Sequence, residues 1–325
     1  MSTLNANLEV AARPVTADGL ELTNARTASV GDMTVSRLLP LRQRRSVGAW
    51  CFIDHYGPMS VDGVRGMAVP PHPHIGLQTV TWLFAGNVLH KDSLGSEQMI
   101  RPGQLNLMTA GRGIAHSEES PAEHDPLLHG VQLWVALPDR SRFVEPDFEH
   151  YGDLPSARIG NLAVTVLIGS LADLRSPATT FTGIVGAELT AVRDVAERIP
   201  LQPSFEHAVV LTTGSARAGE TNLAAGNLLY VPPGRDELAI TAREGTAAML
   251  LGGIPLGEPL LMWWNFVART PDEIASAVEG WRAGMFGHVG GSVGKPLDPP
   301  PLDVRRLIRR ASSRQGSEPE PSPHQ

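Results

Sequence analysis

Short apolar runs separated by glycine-containing turns recur along the chain, and they constrain the fold more than any other feature of the sequence. Residues 79–84 form one such run, the turn residues 85–87 follow, and another run begins at Val88. Strands of this length, spaced by turn residues, are typical of β-sandwiches and β-barrels. The 33 glycines and 27 prolines among 325 residues also favour many short strands over a helical bundle. The sequence therefore predicts an all-β fold.

Two apolar blocks of the sequence share a spacing of glycines. The glycines of the first block are Gly86, Gly103 and Gly111, and those of the second block are Gly214, Gly226 and Gly234. In each block the last two glycines lie eight residues apart and flank an apolar run, residues 104–108 or residues 227–231. Each run is typical of a strand between two turns. We therefore predict an internal duplication that produces two similar barrels.

The predicted organisation has four segments. They are a flexible N-terminal arm over residues 1–17, a first barrel over residues 18–145, a second barrel over residues 146–287 and a disordered tail over residues 288–325. The barrels are divided within residues 138–155, a polar, proline-bearing stretch with few periodic apolar positions. The tail is rich in Pro, Gly, Ser and charge, a composition typical of disorder.

One helix is indicated near the end of the second barrel. Thr270 suits the N-cap, Pro271 suits the first helical position, and Glu273 lies three residues after the cap. Ile274 and Val278 follow at helical spacing, so we expect this helix face to pack on the second barrel.

Two short segments each carry a pair of metal-capable side chains two residues apart. His72 and His74 form the first pair, and His116 and Glu118 form the second. If both segments are strands, each pair points to one face, because strand side chains alternate with period two. Two such strands facing each other in a barrel would bring three imidazoles and one carboxylate to a single point. This donor set suits a redox-active first-row metal such as iron better than a closed structural zinc site.

Other polar residues near these pairs allow two interpretations. Gln78 lies four residues after His74; it either holds a metal-bound water or ligand by a hydrogen bond or is an ordinary polar strand residue. For Arg112 and His90 we expect surface positions rather than places at the mouth of a pocket. In the second block His207 has no paired histidine, and we predict that the second barrel is metal-free.

Composition limits the partners and the compartment. The net charge of −7 argues against a surface built for phosphate contacts, and the arginines within residues 305–310 are expected to belong to a solvated tail. The single cysteine, Cys51, excludes a disulfide framework within the chain. The first residues lack the features of a secretory signal, and no run of about 18 apolar residues is present. We expect a cytoplasmic protein with no direct nucleic-acid binding and no membrane association.

Several segments resemble the pirin family of the cupin superfamily. They are residues 71–81, 109–118 and 130–135, with residues 255–259 and 265–267 resembling the family's C-terminal signature. The resemblance implies two stacked cupin-type β-barrels (a bicupin), with iron in the N-terminal one. Together with the predicted helix, the expected fold is an all-β bicupin with a short C-terminal helix. The metal ligands implied by the family are His72, His74, His116 and Glu118.

The resemblance also implies an activity. Some bacterial pirins are similar to quercetinases, which are dioxygenases that open a flavonol ring with O₂ and release carbon monoxide. We therefore expect a quercetin 2,3-dioxygenase-like enzyme with Fe(II), a small aromatic, flavonol-like substrate and O₂. Mn, Co, Ni, Cu and Zn stay open as the metal, because the affinity of this donor set does not favour iron. Glu118 is the candidate catalytic residue, as the base that takes the flavonol hydroxyl proton.

Two other functions stay open on the same residues. The family also contains regulators, and the alternative function is a non-enzymatic, iron-dependent redox sensor that binds a protein partner. Such a sensor would use the large change in local electrostatics that accompanies a change of metal charge. The third is a storage or structural cupin with vestigial metal binding.

Overall fold

The structure is a computed structural model that describes residues 19–31, 33–63 and 66–303, together with Arg305 and Leu307. The arm predicted over residues 1–17 lies outside the described residues, as does most of the chain beyond residue 303. Among the described residues, no helix has both the length and the apolarity that crossing a bilayer requires.

The described chain is built mainly from short antiparallel strands. The strands up to residue 151 are β1 (Glu21–Asn24), β2 (Arg26–Val30), β3 (Met33–Leu39), β4 (Trp50–Ser60), β5 (Ala68–His74), β6 (Leu77–Ala85), β7 (Val88–Asp92), β8 (Glu97–Ile100), β9 (Leu105–Thr109), β10 (Ile114–Glu119), β11 (Leu127–Ala136) and β12 (Asp147–Tyr151). The later strands are β13 (Ser156–Ile159), β14 (Leu162–Leu171), β15 (Leu174–Arg175), β16 (Ile184–Ala191), β17 (Val195–Pro200), β18 (Glu206–Thr213), β19 (Ser215–Ala218), β20 (Thr221–Ala224), β21 (Asn227–Val231), β22 (Glu237–Ala242), β23 (Ala247–Gly253), β24 (Leu261–Trp263) and β25 (Phe266–Ala268). A 3₁₀ turn spans Asp139–Ser141, and the helix α1 spans Pro271–Arg282.

These strands form two barrels of matching topology. The first barrel combines a large sheet of order β12-β9-β6-β11-β4-β3-β2 with a small sheet of order β5-β10-β7-β8. The second combines a large sheet of order β1-β21-β18-β23-β16-β14-β13 with a small sheet of order β17-β22-β19-β20. The strands predicted between the spaced glycines, β9 and β21, occupy the same place in the two sheets. The predicted all-β fold of two stacked barrels with a C-terminal helix is confirmed.

The two large sheets pack face to face, and strand alternation decides which residues meet there. In β6, Val80 and Trp82 are buried in a cluster shared with the second barrel, whereas Thr81 points inward to Glu118. From the second barrel the same cluster contains Leu167, Ile168, Val210 and Met249, among others. The interior of the second barrel is a separate cluster of aliphatic side chains. Burial of apolar surface between the sheets therefore holds the barrels together.

Two strands pair with the barrel opposite to the one that was predicted to contain them. Strand β1 pairs with β21 and completes the large sheet of the second barrel, although residues 18–145 were predicted to form the first. Strand β12 lies beyond that predicted boundary, yet it pairs with β9 of the first barrel. The edge strand of each large sheet is thus supplied by a segment that the predicted division assigns to the other barrel, because pairing satisfies the open backbone groups of the sheet edge.

The C-terminal hairpin and helix lie against the first barrel, whereas the sequence indicated the second. Phe266 of β25 bridges to Ile75, and the buried helix residues Ile274 and Val278 share a cluster with both. The cap forms as predicted, since the Thr270 hydroxyl accepts the Glu273 backbone N–H at 3.3 Å. The helical spacing of apolar residues predicted which face of the helix is buried. The path of the β24–β25 hairpin, which precedes the helix, decides which barrel the helix covers.

Residues 288–303, predicted to be disordered, are packed on the outside of the first barrel. The backbone N–H of Val293 donates to Glu119 at 3.2 Å, and that of Leu297 donates to the Pro71 carbonyl at 2.8 Å. Proline- and glycine-rich composition indicated disorder, but here the backbone finds hydrogen-bond partners along β10 and the open edge of β5.

The interface between the barrels provides a stability test at Trp82. Its indole donates to the Glu188 carboxylate of the second barrel at 2.7 Å. Trp82→Phe should lower the free energy of unfolding by about 1–3 kcal/mol because the carboxylate loses its donor. Trp82→Ala should lower it by about 3–5 kcal/mol because a cavity opens as well. Urea unfolding measures both values. The half-buried Trp263 is the control. If Trp263→Phe lowered the free energy of unfolding as much as Trp82→Phe, the stabilising role of the Trp82–Glu188 hydrogen bond would be contradicted.

Candidate metal centre

Three of the predicted ligands converge inside the first barrel. In the antiparallel pairing of β5 with β10, His72 lies directly opposite His116. The Nε2 atoms of His74 and His116 are 3.1 Å apart, and the ring centroids of His72 and His116 are 4.4 Å apart. Donor atoms of all three residues lie within 4.8 Å of one another. The three imidazoles thus meet on the inner face of the barrel, as the two-residue spacing of strand side chains predicts.

Backbone carbonyls hold two of these imidazoles in one orientation. The Nδ1 of His72 is 2.9 Å from the Pro70 carbonyl, and the Nδ1 of His74 is 2.9 Å from the Asn265 carbonyl. A carbonyl can only accept, so each Nδ1 carries the proton and each Nε2 keeps its lone pair. Histidines that bind metals are fixed in this way by the partner of their other ring nitrogen.

Burial keeps these imidazoles in the neutral form that a metal requires. It lowers the pKa of His72 to about 4, even though the Pro70 carbonyl opposes the shift. Burial, followed by the charges of neighbouring histidines, holds the pKa of His74 and of His116 well below the ordinary value. The cluster therefore presents lone pairs rather than protons at neutral pH.

Glu118 lies beside the three imidazoles and belongs to a second group. The β5–β10 register shifts between His116 and Glu118, so Glu118 stands opposite Val69. Its carboxylate lies near His90 and His116, and donor atoms of these three residues lie within 4.8 Å of one another. The Thr81 hydroxyl donates to Glu118 Oε1 at 3.0 Å, and burial raises the pKa of this carboxyl. Among the described residues, the four predicted ligands do not form a single cluster with this spacing.

His90 is a site residue that the sequence interpretation placed on the surface. It is 3% exposed, and the ring of Phe148 stacks on it with centroids 4.4 Å apart. Its Nε2 lies 3.2 Å from Asp92 Oδ2. The burial of β7 alternates, with Val88, His90 and Asp92 buried. In the sequence, the two-residue spacing of His90 and Asp92 from the apolar Val88 is the signal that could have placed them inside the barrel.

Gln78 points away from the imidazoles, so it does not stand beside a metal-bound water. Its amide donates to the Thr109 hydroxyl at 3.0 Å and to the Thr179 carbonyl at 3.2 Å. The expectation required one regular strand from His74 to Gln78. Instead the chain turns at Gly76, whose φ is +68°, and the two residues lie in strands of different sheets. Gln78 consequently faces the second barrel.

The second barrel has apolar side chains where the first has imidazoles. Strands β17 and β22 correspond in topology to β5 and β10. Their inward residues Ile199, Leu238 and Ile240 belong to the aliphatic core of this barrel. His207 lies on β18, with the ring of Phe205 6.0 Å away between centroids. That this barrel is metal-free stays a prediction, and its apolar interior supports it.

Known proteins resemble this chain over most of its length. Residues 32–135 match the family model described as Pirin, and residues 187–287 match that described as Pirin C-terminal cupin domain. A Pseudomonas aeruginosa protein with the provisional name quercetin 2,3-dioxygenase is 44% identical over 287 residues, covering 87% of this chain and 90% of that protein. A pirin-like protein of Caulobacter vibrioides is 34% identical over 270 residues, covering 81% of this chain and 93% of that protein. The crystal structure of quercetin 2,3-dioxygenase from Acinetobacter baumannii matches with a TM-score of 0.83 at 43% identity, covering 87% of this chain and 96% of that one.

The stability of the metal-free protein should fall as the pH falls from about 6.5 to about 4. Within this window the unfolded chain protonates His72 and the folded chain does not, because burial lowers its pKa from 6.5 to about 4. The unfolded state then binds more protons, so the free energy of unfolding rises with pH, by roughly 3 kcal/mol for this group. Urea unfolding at several pH values measures the slope. His72→Gln should make it shallower, whereas His288→Gln, at an exposed residue, should not. If the free energy of unfolding of His72→Gln varied with pH as steeply as that of the unmodified protein, the lowered pKa of His72 would be refuted.

Proposed function

The chain belongs to the pirin family, and from that membership we propose that its first barrel is a metal-dependent dioxygenase of the quercetin 2,3-dioxygenase type. The proposed substrates are a flavonol-like aromatic compound and O₂, and the products are the opened ring ester and carbon monoxide. Fe(II) is the proposed metal. Relatives that share the fold and 43–44% of the residues carry this activity in their names.

The observation that carries the proposal is the set of converging imidazole nitrogens. His72 and His74 each have Nδ1 bound to a carbonyl and an unprotonated Nε2, and His116 Nε2 lies 3.1 Å from His74 Nε2. Nitrogen ligands held about 2.1 Å from one ion, at angles of about 90–110°, are about 3.0–3.4 Å apart. The donors therefore fit a first-row metal ion. When bound, the metal supplies Lewis acidity toward the flavonol oxygen and the redox chemistry that O₂ requires.

Glu118 is the proposed acceptor of the proton of the flavonol hydroxyl. It stands next to His116, with donor atoms of the two residues within 4.8 Å, so we propose it both as the fourth ligand and, beside the metal, as the group that accepts this proton. Burial raises the pKa of this carboxyl, which suits a group that has to hold a proton near neutral pH. The Thr81 hydroxyl lies 3.0 Å from Oε1 and 2.9 Å from Gln132 Oε1, so a polar contact holds the Oε1 side of the carboxyl.

Aromatic side chains beside the imidazoles suit a flat substrate. The Trp134 ring meets His74 edge to face, with centroids 5.1 Å apart. The Phe52 ring stacks on the Trp134 ring, with centroids 4.0 Å apart. Rigid aromatic walls favour planar, electron-rich rings. On that ground a polyphenol is the proposed substrate class, with the rings of Phe52 and Trp134 as the proposed aromatic wall of its site.

The regulator alternative rests on the same imidazoles. A redox sensor also needs a metal whose charge changes in a buried site, and the first barrel would provide that site. No further feature of the described residues distinguishes a partner-binding surface for it. Turnover of a flavonol separates the two functions directly.

The decisive experiment is turnover by the metal-loaded protein. Protein loaded anaerobically with Fe(II) and mixed with quercetin in air should consume O₂ and release carbon monoxide in equal amounts. Chelation of the metal should abolish both. Absence of carbon monoxide from fully loaded protein would overturn the dioxygenase assignment, and metal analysis of the same sample shows the loading.

The role of Glu118 is tested with its neighbour as the control. Glu118→Gln should lower kcat, expressed per bound iron, by about 10²–10⁴-fold, since general acid–base catalysis contributes that much. Glu119→Gln makes the same chemical change on the outer face of the strand, where Glu119 pairs with Lys91 at 2.8 Å. It should retain turnover. Undiminished kcat in Glu118→Gln would refute its role as the base.

A further inference from the structure

A cleft opens at the edge of the interface between the two barrels. The first barrel lines it with Leu83, Phe84 and His129, and the second lines it with Glu188 and Thr190. Its volume of about 430 Å³ lies within the range of sites that hold small organic molecules, and boundaries between domains are a common place for such sites. The four predicted metal ligands do not line this cleft, so it is separate from the metal centre.

The Glu188 carboxylate brings a negative charge to this cleft. Its Oε2 accepts the Trp82 indole N–H at 2.7 Å, and its Oε1 accepts the Thr190 hydroxyl at 3.0 Å. Both donors are neutral. Burial raises the pKa of this carboxyl, although the two hydrogen bonds oppose the shift. A partly buried carboxylate with neutral donors alone is costly to ionise, and a cation beside it would favour the ionised form.

The imidazole in the cleft does not supply the missing positive charge. The Nε2 atoms of His129 and His55 are 2.8 Å apart, so one ring donates its proton to the other. Burial lowers the pKa of His55 to about 4 and also lowers the pKa of His129. Both rings are therefore neutral at pH 7. No lysine or arginine is present among the described residues that line the cleft.

The first barrel gives the cleft an apolar and aromatic wall. The Phe84 ring lies 4.7 Å from the His129 ring between centroids, and it packs against the apolar cluster between the barrels. The face of an aromatic ring attracts a cation. The side chain of Leu83 adds buried apolar surface beside it. One side of the cleft therefore suits a positive charge, and the other suits an apolar body.

We propose that this cleft binds a small organic cation, an ammonium or guanidinium compound with an apolar body. Its charge pairs with Glu188, and its body lies against Phe84 and Leu83. A metal ion is a poorer occupant, because Glu188 is not among the described side chains that are grouped closely enough to share one. The proposal does not depend on the metal centre or on the dioxygenase reaction.

Benzylamine and benzyl alcohol are matched probes, because they share a ring and a shape and differ in charge at neutral pH. Isothermal titration calorimetry of the full chain at low salt should show benzylamine binding about tenfold more tightly or better, since a hydrogen bond to a charged group is the stronger kind. Added salt should weaken the binding of benzylamine more than that of the alcohol. The benzylamine affinity should be the same whether the metal centre is loaded with Fe(II) or chelated.

Two substitutions locate the binding. Glu188→Gln keeps an acceptor for the Trp82 indole and removes the charge, so it should weaken benzylamine binding by about tenfold to hundredfold and leave benzyl alcohol unaffected. Phe84→Leu keeps an apolar side chain and removes the ring, so it should weaken benzylamine binding by about two- to fivefold. The matched control is Glu220→Gln, at a side chain of the second barrel that is 90% exposed; it should leave both affinities unchanged.

Several outcomes would overturn the proposal. They are equal affinities for the two probes, full benzylamine affinity in folded Glu188→Gln, and benzylamine binding that appears only when the metal centre is loaded. Circular dichroism shows whether each variant is folded, and if Glu188→Gln is not, the comparison of probes and Phe84→Leu still decide. None of these readouts requires turnover, so they remain separate from a failure of the dioxygenase assignment.

Discussion

The antiparallel pairing of β5 with β10 is the contact on which the rest of the site depends. It places His72 opposite His116 and brings His74 into the same group. A slip of one residue would turn these side chains to the outer face of the sheet, where Pro71 and Glu119 now meet the C-terminal segment. The register thus determines at once which groups can bind a metal and which groups hold the chain around the barrel.

The metal centre also depends on residues far from it in sequence. The carbonyl that fixes His74 belongs to Asn265, between β24 and β25 of the C-terminal hairpin. That hairpin is held by the bridge from Phe266 to Ile75 and by the helix that follows. The second barrel contributes no imidazole to the cluster, but its chain provides the hairpin that orients one of the ligands.

A chain of buried contacts connects charge and aromatic packing in the first barrel. Arg37 binds Asp54 through two hydrogen bonds of 2.7 and 2.6 Å, and its guanidinium lies 4.6 Å from the centre of the Phe52 ring. Phe52 stacks on Trp134, and Trp134 meets His74. A paired charge that is also stacked has few alternative orientations. We infer that this pair keeps the aromatic wall in place beside the imidazoles.

The sequence by itself determined the strand alternation, the duplication, the helix cap and the two pairs of metal-capable side chains, because each of these is a local pattern with a fixed period or spacing. It did not reveal that His90 and Asp92 enter the site, that Gln78 faces the other barrel, or that the C-terminal segment covers the first barrel. Those features depend on strand register, on a glycine turn and on pairings between residues up to about two hundred positions apart. Only the tertiary structure decided them, because their free energy is spread over many long-range contacts and no short stretch of sequence contains it.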